Sequence, residues 1–177
     1  MIFREARPAG PGWNIAKTML QTAVFWGTLL FLLPWAIVGT EDRLGIGGFP
    51  PQRWLGGILF AVASAVGLAS AYTMAVAGEG TPLPLDHPRR LVVRGPYGIV
   101  RNPMAVAGIA QGCAVGFFAG SYGILAYSLA GALVWHFGVR PFEERHLRAR
   151  FGEEYDAYRG RVSLWVPRRK GGRGGSG

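Results

Sequence analysis

The sequence predicts an all-α integral membrane protein: a bundle of about four transmembrane helices plus a cytoplasmic amphipathic C-terminal helix. Of its 177 residues, 50% are hydrophobic and 16% are charged, and the mean hydropathy is +0.22, which is unusual for a soluble domain. The apolar residues are gathered into four long runs, and most of the net charge of +9 lies outside them. Basic residues that flank apolar runs favour membrane lipids as partners and argue against nucleic acid.

Four apolar runs predict the membrane spans, each of which requires about 20 residues. The first two cover residues 19–38 and 54–77, and the first is longer than the core of a signal peptide, so we expect it to be retained. The other two cover residues 103–119 and 122–139 and are short for spans. Since a Gly-Ser pair is all that separates them, we predict a tight helical hairpin, with one long re-entrant element as the alternative.

The basic residues predict the orientation of the bundle. Arg and Lys are concentrated in the N-terminal segment, in the loop between the second and third runs, and in the C-terminal segment. The loop between the first two runs instead balances Arg43 and Arg53 with Glu41 and Asp42. The positive-inside rule then places both termini in the cytoplasm, which an even number of spans allows. We expect a multi-pass protein whose oligomeric state the sequence leaves open.

A polar segment after the fourth run carries a helical stripe. Its apolar and aromatic residues recur at spacings of four, four and three: Leu147, Phe151, Tyr155 and Tyr158. Such spacing is typical of one face of a helix, and it predicts an amphipathic helix at the cytoplasmic surface. Glu143 extends the same face, whereas Glu144 lies about 100° round the helix. Gly152 is a candidate for a break in this helix.

The sequence offers few residues for metal or nucleophilic chemistry. Cys113 is the single cysteine and lies inside an apolar run, so we interpret it as a packing residue. The three histidines are far apart and lack metal-ligand spacing, so we expect no metal site. No G-x-G-x-x-G motif follows a strand, and the segments outside the apolar runs are too short for a dinucleotide-binding fold.

Two motifs resemble the signatures of one family of membrane enzymes, the isoprenylcysteine carboxyl methyltransferases. They are GPYGIVRNPMAVAG at residues 95–108 and EERHLRARFGEEYDAYRGRVSLWVP at residues 143–167. The family pattern is Gly-Pro-Tyr, Arg-His-Pro-x-Tyr-x-Gly, Glu-Glu-x-x-Leu and Phe-Gly-x-x-Tyr-x-x-Tyr, and residues 80–84 are similar to a stretch common in bacterial members. Asn102 replaces the His of this pattern and Ala105 replaces its first Tyr after the Pro.

The resemblance implies a methyltransferase that uses S-adenosylmethionine and acts on a lipid-like or hydrophobic acceptor through a carboxylate, an amine or a thiol. It implies catalytic roles for Arg101, Asn102 and Glu144, and a carboxylate such as Glu144 suits the cationic cofactor. We expect Arg94 to bind an acidic group of the substrate. The cofactor pocket implied by the resemblance comprises Tyr97, Arg101, Asn102, Pro103, Gly108, Glu143, Glu144, Tyr155 and Tyr158.

These expectations divide the chain into three regions. Residues 1–79 form an N-terminal two-span region, residues 80–167 form the cofactor-binding catalytic region, and residues 168–177 form a Gly-rich tail that we expect to be disordered. The resemblance to bacterial members implies a location in a bacterial inner membrane. Two other functions stay open: an NADPH-dependent membrane reductase of related fold, and a non-enzymatic membrane scaffold derived from the same fold.

Overall fold

The computed structural model describes residues 4–5, 11–78, 86–87 and 90–167, and over these ranges the chain is an all-α bundle, as predicted. A two-residue parallel ladder pairs β1 (Arg4–Glu5) with β2 (Asp86–His87). Residues 80–84 and the Gly-rich tail, which entered the sequence-based expectations, lie outside the described ranges. The helices are α1 (Pro11–Gly27), α2 (Leu33–Leu44), α3 (Arg53–Ala77), α4 (Pro103–Ala119), α5 (Tyr122–Val134) and α6 (Arg140–Arg161).

Three helical stretches in the described ranges are long and apolar enough to cross a membrane: Met19–Leu44, Arg53–Ala77 and Tyr122–Arg161. A shorter apolar helix, Pro103–Ala119, packs against both α3 and α5. Many large apolar side chains on the bundle are exposed, such as Phe31 at 73%, which suits a surface that faces lipid. The protein is therefore an integral membrane protein, with its polar helix α6 beyond the apolar part of the last stretch.

Two π-helical turns, each ending shortly before a proline, join consecutive α-helices into long continuous helices. Thr28–Leu32 joins α1 to α2 and precedes Pro34, and Trp135–Val139 joins α5 to α6 and precedes Pro141. A proline inside a helix lacks an N–H donor and crowds the carbonyl group four residues earlier. The wider turn accommodates both defects, because its backbone bonds reach back five residues. The fourth span therefore continues into α6 without a loop, and the first helix extends past both predicted ends.

Small residues allow α4 to pack closely against α3 and α5. A Cβ atom added to Gly56 of α3 would lie 2.7 Å from the Ala114 carbonyl oxygen of α4. A Cβ atom added to Gly112 of α4 would lie 2.5 Å from Oγ of Ser128 on α5. Close backbone approach of this kind drives helix association where lipid removes the hydrophobic driving force. It fixes α4 at the centre of the bundle.

The hairpin between α4 and α5 is as tight as the sequence predicts, and a carboxylate secures it. Gly120 ends α4 in the left-handed conformation with φ of 71°, which a residue without a Cβ adopts freely. Ser121 Oγ accepts a 3.0 Å hydrogen bond from the Ile124 N–H and so caps α5. Glu41 of α2 accepts hydrogen bonds of 2.6 Å from Ser121 Oγ and 2.7 Å from the Gly123 N–H. Residues 90–102, which precede α4, meet α6 at the opposite end of the bundle.

Candidate functional site

The loop before α4 is tied to the C-terminal part of the chain by two hydrogen bonds. Tyr97 is buried, and its carbonyl oxygen accepts a 2.7 Å hydrogen bond from Tyr158 Oη of α6. The backbone N–H of Arg101 donates to the carbonyl oxygen of Ser163 at 2.9 Å. These contacts bring residues 97–102 against α6 although about sixty residues separate them in sequence. The two predicted motifs therefore lie side by side.

Asn102 links the start of α4 to the start of α6. As the N-cap of α4, its Oδ1 accepts a 3.0 Å hydrogen bond from the Ala105 N–H, and Pro103 follows as the first helical residue, where its missing N–H is not needed. Because the oxygen is used by the cap, the amide nitrogen is directed away from it. That nitrogen, Nδ2, lies 3.4 Å from Oε2 of Glu143.

An ion pair beside this contact holds the loop to α6. Nη1 of Arg101 lies 2.8 Å from Oε1 of Glu144, and the side chains are 12% and 17% exposed. Nη1 of Arg140 lies 3.8 Å from the same oxygen. Nε of Arg101 is buried and has no hydrogen-bond partner in the described part of the chain. Glu144 is thus a partner for two arginines, and Arg101 keeps one donor unused.

A cavity of about 340 Å³ begins at Asn102 and Glu143 and runs toward the middle of the bundle. Its volume is typical of small-molecule sites, which occupy about 300–1,000 Å³. Asn102 and Glu143 form its polar end, and Phe25 and Leu29, which are 47% and 37% exposed, lie at its lipid-facing edge. The other lining residues are mostly apolar or aromatic and include Trp26, Leu30, Met104, Gly108, Tyr127, Gly131 and Trp135.

Glu143 has a strongly perturbed carboxyl group. Burial raises its pKa from 4.5 to about 7, and the negative charge of neighbouring Glu144 adds to the rise. Burial disfavours the charged form of a carboxyl group unless a cation lies close by. A cationic ligand at the polar end of the cavity would stabilise the charged form and lower this pKa, so it would bind more tightly as pH rises.

Three tyrosines pack behind the ion pair. Tyr155 and Tyr158 are buried, and their ring centroids lie 6.3 Å apart. Burial raises the pKa of Tyr97, Tyr155 and Tyr158, so all three phenols stay protonated near neutral pH. Together the three tyrosines form a packed layer that holds Arg101 in place relative to α6.

The structure distributes the predicted site residues over three places. Asn102, Gly108 and Glu143 line the cavity. Arg94 is exposed and does not line it. The remaining six belong to the packed layer that joins the loop and α4 to α6: Tyr97, Arg101, Pro103, Glu144, Tyr155 and Tyr158.

The sequence-based site omits one wall of the cavity. Trp26, Leu29 and Leu30 come from α1 and the π-helical turn after it. Tyr127 and Trp135 come from α5 and the π-helical turn after it. Apolar residues of this kind are common in every span and carry no chemical signal. Leu30 lies in the π-helical turn that precedes Pro34 and is 7% exposed.

The cavity is suited to binding and orienting ligands. Among residues 11–78 and 90–167, no group of three or more His, Cys, Asp or Glu side chains is placed to hold a metal ion. Cys113 does not line the cavity. The cavity itself can hold reactants close together, orient them and exclude water.

In a comparison with known protein families, one family model matches this chain. The family model described as phospholipid methyltransferase matches residues 51–154, which is more than half of the chain. The match begins just before α3 and ends inside α6, so it contains Asn102, Gly108 and Glu143. No curated protein matches the chain.

Proposed function

The chain belongs to the phospholipid methyltransferase family, and on that basis we propose that it transfers a methyl group from S-adenosylmethionine to a hydrophobic, lipid-like acceptor. Membership of the family makes it a membrane methyltransferase. What we propose beyond this is the identity of the methyl donor, the class of acceptor and the roles of single residues. The observation that carries it is the meeting of Asn102 and Glu143 at the polar end of a cavity whose other walls are apolar.

The residues at the polar end fit the proposed donor. Its sulfonium and ammonium groups are cations, and the half-buried carboxyl group of Glu143 is a suitable anion for either. A Cβ atom added to Gly108 would meet no atom within 4 Å, so the α4 backbone is open to a ligand there. When bound, S-adenosylmethionine supplies a methyl group that its sulfonium already activates.

The protein's own part is to bind and align. Asn102 and Glu143 would hold the donor, while the pair Arg101–Glu144 fixes α6 against the loop and so fixes Glu143. The apolar walls exclude water, which would otherwise compete with the acceptor. The acceptor's reacting group is a carboxylate, an amine or a thiol, and its hydrocarbon part would enter from lipid past Phe25 and Leu29.

The orientation is part of the proposal. The polar end of the cavity lies at the end of the bundle where residues 90–102 meet α6. Both segments are rich in Arg, and the positive-inside rule assigns such segments to the cytoplasm. S-adenosylmethionine is a soluble cytoplasmic metabolite, so this orientation would give it direct access to Asn102 and Glu143.

Methyl incorporation tests the proposal. Membrane vesicles that contain the full-length chain are incubated with S-adenosylmethionine labelled in its methyl group, and label is measured in the lipid extract. We expect label above that of vesicles without the protein, and at least about a tenfold loss for Glu143→Gln, equivalent to about 1.4 kcal/mol. Glu154→Gln, an exposed glutamate on the same helix, is the matched control.

Two results would contradict the proposal. The first is an unlabelled extract from vesicles that contain folded protein, and consumption of NADPH by the same vesicles would favour the reductase instead. The second is equal activity of Glu143→Gln and Glu154→Gln, which would remove Glu143 from the site.

A further inference from the structure

A second cavity of about 470 Å³ lies between the spans, beyond the first cavity as seen from Asn102 and Glu143. Apart from the indole of Trp35, no lining side chain carries a polar atom. The lining comes from α2, α3, α4 and α5 and includes Pro34, Gly56, Phe60, Ala114, Phe118 and Ile124. Such a surface can bind a hydrocarbon chain, but it has no charged group that could bind a lipid headgroup.

Leu30 separates the two cavities. It lines both of them and is the buried residue of the π-helical turn Thr28–Leu32. On α5 the lining passes from Ser128 in the first cavity to Ile124 in the second, one helical turn away. The Ser128 hydroxyl donates a 2.8 Å hydrogen bond to the Ile124 carbonyl oxygen, so its proton is not presented to a chain that passes between them.

The two cavities also follow one face of α4. Gly108 and Gly112 line the first, and Val115 and Ala119 line the second, at spacings of three and four that keep one side of a helix. The two cavities together extend from the first turn of α4 to its last, a length of about 25 Å for 17 residues. That length approaches the hydrocarbon thickness of a bilayer, about 30 Å.

We propose that the second cavity is a binding site for the distal end of the acceptor's hydrocarbon chain, which reaches it by passing Leu30. The inference rests on the proposed function, because it takes the acceptor to occupy the first cavity. The second cavity opens toward lipid at Phe31 and Trp35, which are 73% and 79% exposed. An extended chain anchored near Glu143 makes dispersion contacts along the walls of both cavities. Leu30 is then a residue that determines the accepted chain length.

Photo-crosslinking tests the site directly. The full-length protein in nanodiscs is exposed to dipalmitoyl phosphatidylethanolamine that carries a diazirine either near the methyl end or near the carboxyl end of one acyl chain. Adducts are then mapped by mass spectrometry. We expect the methyl-end probe to label second-cavity residues such as Phe60 and the buried Ile124, and the carboxyl-end probe to label first-cavity residues such as Met104.

Substitutions in one turn identify the route by which the chain arrives. Leu30→Trp should lower methyl-end labelling of Phe60 and Ile124 at least about fivefold, because the larger ring fills the passage. Leu30→Val should retain the labelling. Leu32→Trp, on the same turn but exposed and lining neither cavity, should also retain it and so serves as the matched control.

Each other outcome overturns the inference. Labelling of Phe60 and Ile124 that persists in Leu30→Trp would mean that a bulk lipid enters the second cavity from the bilayer. Absence of adducts on the second-cavity residues would mean that the acceptor's chain does not bind there. Binding of S-adenosylhomocysteine is measured on the same samples: if it persists while the labelling pattern fails, the second site is wrong and the proposed function stands.

Discussion

The ion pair between Arg101 and Glu144 should be among the strongest polar contacts that hold the site together. At a separation of 2.8 Å and an effective dielectric constant of about 20, the gross attraction is about 6 kcal/mol. Desolvation of two largely buried ions offsets most of this. Since a hydrogen bond to a charged group contributes about 1.5–3 kcal/mol net, we predict a coupling energy of about 2–3 kcal/mol.

The chain contains a matched control for this prediction on the same helix. Arg148 and Asp156 form an ion pair at 3.1 Å, but their side chains are 63% and 41% exposed. Exposed pairs contribute about 0.2–1 kcal/mol. The two pairs therefore have similar geometry and differ mainly in burial.

Two double-mutant cycles measure the difference. Arg101→Gln and Glu144→Gln form the first cycle, Arg148→Gln and Asp156→Asn form the second, and the free energy of unfolding is measured by chemical denaturation in detergent micelles. The first coupling energy should exceed the second by about 1–2 kcal/mol. Equal coupling energies, or a first value below about 1 kcal/mol, would refute the claim that burial of this pair fixes α6 against the loop.

Three further perturbations follow from the contacts. Gly112→Val should lower the free energy of unfolding by about 1–3 kcal/mol, because its Cβ would meet Ser128 Oγ at 2.5 Å; Gly131→Ala, where a Cβ meets no atom within 4 Å, should change it little. Glu41→Gln should cost about 1–2 kcal/mol through the weakened cap of α5, seen as a lower melting temperature. The folded pKa of Glu143, about 7, lies above its ordinary 4.5, so this group's stabilising effect is lost as pH rises through that interval. Between about pH 5 and pH 8, wild-type melting temperature should therefore fall relative to Glu143→Gln, and parallel curves would contradict the raised pKa.

Hydropathy predicted most of the fold because lipid imposes a simple rule on the backbone. Every span must satisfy its own hydrogen bonds and present apolar side chains to lipid, so runs of apolar residues become helices. The Gly-Ser pair between the last two runs predicted the hairpin, and Gly152, with φ of 51° and ψ of −125°, breaks α6 as its sequence suggested. The continuous helix from α5 through Pro141 into α6 was not predicted. The π-helical turn that accommodates the proline has no sequence signal of its own.

The site was harder to predict because it depends on how helices cross. Glu143 and Glu144 are adjacent, yet one lines the cavity and the other binds Arg101. Their relative angle follows from helix geometry, but the direction that each faces is set by how α6 packs against the loop before α4. The sequence likewise gave no reason to pair Glu41 with Ser121, eighty residues away.

Calorimetric titration of S-adenosylmethionine, which carries both the sulfonium and the ammonium group, into the detergent-purified protein tests most directly whether the cavity at Asn102 and Glu143 is the methyl donor's site. At about pH 8, where Glu143 is mostly ionised, we predict saturable binding that weakens at least about tenfold, or about 1.4 kcal/mol, in Glu143→Gln. Glu154→Gln should bind as the wild type does. Absence of binding in several detergents that preserve the fold, or identical affinities for all three proteins, would contradict the account.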